Sequence, residues 1–167
     1  SPYILLVIRD NGKIRPGELD AAAVEGLNYG DFYFEDGLYK ADLRKITKRA
    51  LEEERGINCD FLDSLGLLHL PEKYYLGYDE QYKQWNFFGT VVIDCTVEEL
   101  IREGCYFTKD KFEAKTIVAM PADPESLFYQ LSAEKIPTSD GVFVKREMWN
   151  TAWASIIFAV SQDGTCK

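Results

Sequence analysis

One uninterrupted helical pattern constrains this chain more than any other feature. Ala41–Arg55 contains no Gly or Pro, and Gly56 stands where a left-handed stop belongs. At about 100° per residue, Leu43, Ile46, Ala50 and Ile57 fall on one side, so the helix has a single face to bury. Glu52 points nearly opposite, as a solvated carboxylate should. Glu54 lies on one border of the apolar stripe, roughly 50° from its centre, and Glu53 on the other border. Arg49 precedes Glu53 by one helical turn and is within pairing reach of it. A carboxylate turned towards a core is costly unless it is paired or bound to a metal. Two readings of Glu54 stay open at this level. It escapes to solvent past the last turn, or it joins a half-buried acidic cluster that holds a divalent cation.

The elements around this helix read as a mixture. Tyr3–Ile8 is a short, continuous, β-branched run and predicts a buried strand. The Ala-rich segment Glu18–Leu27 predicts a helix closed by Gly26, Asn28 and Gly30. Asp31–Glu35 predicts a strand and Asp36-Gly37 a turn. Asp63–Leu70 predicts a strand ended by Pro71. Gln84–Cys95 predicts a long strand, paired with Tyr74–Tyr78 across Asp79–Lys83 as an aromatic hairpin. Thr96 to Glu99 has capping-box spacing and opens a short helix to about Arg102. Lys115–Met120 predicts a strand. Asp123-Pro124 opens a helix through about Leu131. Pro137–Gly141 reads as a loop and Val144–Val160 as the last helix. Strands and helices alternate, so the expected class is α/β, in one domain spanning residues 1–167. A chain of this length buries about 70% of its surface on folding and needs no disulfide or metal staple.

Charge narrows the partners. Nineteen Lys+Arg against 28 Asp+Glu give a net charge of −9. Arg44, Lys45, Lys48 and Arg49 form one basic cluster, followed at once by Glu52, Glu53 and Glu54. That is no footprint for a phosphate backbone or an anionic bilayer, so neither DNA nor a membrane is an expected partner. A small anionic ligand held through a metal ion is compatible with the charge. The four cysteines show no zinc-type spacing and read as reduced thiols of a cytoplasmic protein. No secretory leader is visible. Ser1-Pro2, without an initiating Met, reads as a trimmed chain or a piece of a longer one, with further domains of a parent chain as partners.

Seven aromatic residues crowd between Tyr74 and Phe88. Tyr78 and Trp85 could stack a nucleobase; alternatively the aromatics pair across the hairpin and cover the core. His69, the sole histidine, reads as a strand residue rather than a catalytic one. Met148, Trp149, Trp153, Ile156, Ile157 and Val160 read as core packing of the last helix, with any exposed part offering a homodimer contact.

The segment Arg49-Ala50-Leu51-Glu52-Glu53-Glu54-Arg55-Gly56-Ile57 resembles the back half of the Nudix box, R-E-U-x-E-E-x-G-U, where U is a bulky aliphatic. Arg49, Leu51, Glu53, Glu54, Gly56 and Ile57 match. The opening strand Tyr3–Asp10 and the segment Tyr106-Phe107-Thr108-Lys109-Asp110 are similar to family elements more loosely. The resemblance implies an α/β/α sandwich around a mixed sheet. It implies Mg²⁺ or Mn²⁺ held by Glu53 and Glu54, with Arg49 orienting them, and attack of water on a pyrophosphate. A distant Glu often completes such sites; Glu103 is the first candidate and Glu113 the second. The departures are specific. Ala50 stands where the family has a metal-binding Glu. Aligned without gaps, the opening Gly falls on Glu35 and the first Glu on Ala41; anchored on Gly37, Leu43 takes the place of the first Glu. Glu35 is the candidate to substitute spatially for a lost ligand.

The leading expectation is therefore a Nudix-like domain with a degenerate box, binding a nucleotide-type phosphorylated ligand as a sensor or regulatory module. An active pyrophosphohydrolase rebuilt around Glu53, Glu54 and either Glu35 or Glu103 is the first alternative. A protein-interaction domain that keeps only the fold is the second.

Overall fold

A computed structural model describes residues 3–9, 18–21, 25–102, 114–133, 135–137, 143–145 and 156. In chain order its strands and helices are β1 (Tyr3–Arg9), β2 (Leu19–Ala21), β3 (Phe32–Glu35), β4 (Leu38–Ala41), α1 (Leu43–Arg55), α2 (Cys59–Ser64), β5 (Leu68–His69), β6 (Tyr75–Asp79), β7 (Gln84–Phe88), β8 (Val92–Ile93), α3 (Val97–Arg102), β9 (Ala114–Pro121), α4 (Pro124–Ser132), β10 (Lys135–Pro137) and β11 (Phe143–Lys145). The class is mixed α/β. Among the described residues the strands form one three-stranded sheet and four two-stranded ones. These elements gather into two compact units.

In the first unit, β1 is the central strand of the order β2-β1-β9, antiparallel to both neighbours. Leu6 pairs with Ala21 on one side and Val118 on the other. Leu6, Leu19, Val118 and Met120 are fully buried, which is what a continuous aliphatic run in a central strand demands. The helix expected over Glu18–Leu27 is not formed at its start, because Leu19–Ala21 is strand. The local Ala preference yields to the open edge of β1, whose backbone groups need partners. Asp123 caps α4 by accepting from Ser126 N at 2.8 Å, with Pro124 in the first turn, as the sequence predicts. Leu127 is buried beneath it. Pro137, expected in a loop, ends β10 opposite Phe143. Val144, expected to open the last helix, lies in β11. Of that helix, Ile156 is helical and buried, and most of its other positions lie outside the described residues.

The aromatic hairpin of β6 and β7 forms where expected. Asp79 Oδ1 accepts from Gln81 N and Tyr82 N, at 2.9 and 3.1 Å, and folds the connection back. Gly77 lies close under an aromatic ring: a Cβ there would sit 3.0 Å from Phe88, whose ring would have to give by a few tenths of an ångström. The long strand expected over Gln84–Cys95 is broken after Phe88, and its later part pairs elsewhere as β8.

In the second unit, β3 and β4 form a hairpin across Asp36 and Gly37, whose φ values of 54° and 79° are those of a tight turn matched to strand twist. Asp42 caps α1 by accepting from Lys45 N at 3.0 Å, so the helix begins two residues later than its pattern suggested. Gly56 ends it at φ 61°; its N–H and that of Ile57 donate to Glu52 O and Leu51 O. Ile46, Ala50, Leu51 and Ile57 are buried, with Cys59, Leu62, Leu68 and Leu100 completing the core. The strand expected over Asp63–Leu70 shrinks to β5. Asn58 caps α2 through Phe61 N, and Gly66, at φ 70°, follows the helix, so Asp63 and Ser64 are helical. β5 pairs antiparallel with β8. The Thr96 capping box closes from both sides, at 2.8 and 3.1 Å, and starts α3.

Candidate functional site

The candidate residues on α1 sort by which way the helix turns them. Its basic half is tied to neighbouring loops of the same unit. Arg44 donates to Pro71 O at 3.4 Å and Lys45 to Gly30 O at 2.8 Å. Lys48 bridges Asp60 and Asp63 at 3.4 and 3.1 Å. The cluster that looked cationic in sequence is a set of internal staples.

Arg49 is the most committed of them. Its Nη1 donates to Asp31 Oδ1, and its Nη2 donates to Asp31 Oδ2 at 2.9 Å and to Gly26 O at 2.8 Å. Glu25 lies 3.6 Å from Nε. The planar guanidinium thus grips one carboxylate with both arms. Asp31 is 1% exposed. It also accepts from Asn28 N at 2.6 Å, and its own carbonyl accepts from Asp42 N. The Arg49 hydrogen bonds, helped by Asn28 N, hold the Asp31 carboxyl below the usual range. The same hydrogen bonds raise Arg49. The pairing of Arg49 with Glu53 suggested by helical spacing is therefore displaced. Asp31 takes the guanidinium, and Glu53 acts on it only as a nearby charge.

Glu53 is exposed, while Glu54 is buried. Glu54 does not escape past the helix end: Oε2 lies 3.6 Å from Arg55 Nη2, and Arg55 Nη1 donates to Glu54 O at 2.9 Å. A buried acid beside a buried base offsets part of the desolvation cost of both. Glu52, expected in solvent, is half-buried. Ala50 is buried on the packed face. Glu35 is exposed at the end of β3 and pairs with Lys40 at 2.6 Å. Among the described residues no group of three or more His, Cys, Asp or Glu is placed to share a metal ion. Glu103 and Glu113 lie outside the described residues. Tyr78 and Trp85 contact each other on the β6–β7 hairpin of the first unit, with ring centroids 4.9 Å apart, and both are exposed. His69 is an exposed strand residue.

Asp31 and Glu25 were missed from sequence. Asp31 sits at the head of an aromatic strand, where an Asp reads as turn chemistry. The available signal was Asn28 three residues earlier, the spacing of a local carboxylate-to-backbone cap. Cys59 and Cys95 are not joined in a disulfide. Burial pushes Cys59 up to about 11. No helix among the described residues is long and apolar enough to cross a membrane.

Scans against protein-family models, curated proteins and solved structures return no match to this chain.

Proposed function

We propose that the chain is a Nudix-like module with a degenerate catalytic box, binding a phosphorylated ligand of nucleoside-diphosphate type as a sensor or regulatory unit in the cytoplasm. In this reading its strands belong to an α/β/α sandwich around a mixed sheet. The observation that carries it is Ala50, buried in the apolar face of α1 where the resemblance places a metal-binding Glu. The rest of the half-box keeps its helical frame: buried Leu51, left-handed Gly56 and buried Ile57. That combination supports a preserved scaffold with reduced metal-holding capacity. Mg²⁺ needs only one or two protein carboxylates when phosphate oxygens supply the remainder. Exposed Glu53 is the carboxylate on α1 available to a cation that arrives with the ligand.

The test is thermal unfolding with a panel of nucleotide sugars, dinucleotides and nucleoside diphosphates, with and without Mg²⁺ or Mn²⁺. Phosphate release is followed in parallel, beside Glu53→Gln. A ligand at a hundredfold excess over its Kd adds about 2.7 kcal/mol, a rise of about 5–10 °C for a chain of this size. The expected result is such a rise without turnover, reduced in Glu53→Gln. Turnover abolished by a Glu53→Gln/Glu54→Gln double variant would replace the proposal with an active pyrophosphohydrolase. No shift across the panel would leave a fold retained for protein interaction.

A further inference from the structure

We draw no further inference here: the strongest candidate, the exposed aromatic face that Phe32, Phe34 and Tyr39 present on the β3–β4 hairpin, is an unpartnered apolar face, and nothing in the structure shows what covers it.

Discussion

Arg49 holds the Asp31 carboxyl below the ordinary carboxylate range, and this makes the pair an acid-sensitive point. Its folded pKa is depressed, so its contribution to stability is complete above the ordinary carboxylate value and is lost as pH falls through the folded one. Urea unfolding followed from pH 6 down to pH 2 should show stability falling below about pH 4. That slope should be shallower in Asp31→Asn, which starts less stable. An unchanged acid slope in the variant would remove Asp31 from the account. Cys59 makes a second prediction. A buried thiol pushed up to about 11 has almost no thiolate at neutral pH. Alkylation read by peptide mass spectrometry should spare Cys59 in the native protein and modify it in denaturant. Native modification at the rate of a free thiol would contradict its burial. Neither residue's surroundings could be read from the chain: Asp31 meets its partner across 18 positions, and no local pattern encodes that meeting.

Helix α1 is the element whose sequence spoke most plainly, since amphipathic spacing, cap and stop lie within one stretch and need no distant partner. Its packing should behave accordingly. Leu51→Ala removes a buried side chain and should cost about 2–5 kcal/mol in chemical denaturation. Gly56→Ala forces a Cβ into the left-handed region and should cost about 1–2 kcal/mol, with Gly56→Asn milder. Equal stability of Gly56→Ala and the parent protein would mean the helix ends differently. The β6–β7 turn offers the reverse case. Lys83 adopts φ 55°, so Lys83→Gly should gain about 0.5–1 kcal/mol once glycine's own entropy is subtracted. The side-chain patterns of Glu18–Leu27 and Asp63–Leu70 predict a helix and a strand, whereas an open strand edge decides the first and an Asn cap the second. The site was legible in part: the helix frame around Arg49 and Glu53 could be seen, but the capture of Arg49 by Asp31 and of Glu54 by Arg55 could not.

Over the whole molecule, negative charge predominates. A net −9 argued against polyanions, and the one basic cluster is occupied by carboxylates and carbonyls of its own unit. Duplex DNA should therefore show no retardation by the protein even at 50 mM salt, where electrostatic binding is strongest. Class was legible because strand and helix patterns are written locally in residue order; sheet membership was not, because strand pairing depends on partners far along the chain. The Arg49 fork has one further consequence, in the order of folding events. It closes a loop of moderate length between the turn at Asp31 and the middle of α1, so its closure costs less entropy than that of the β1–β9 ladder, by about 1–2 kcal/mol. Helix, hairpin and fork are all short-range in sequence, so we expect them to form the folding nucleus. Arg49→Lys should accordingly slow refolding in a stopped-flow chevron more than it speeds unfolding, whereas a truncation in β9 should do the opposite.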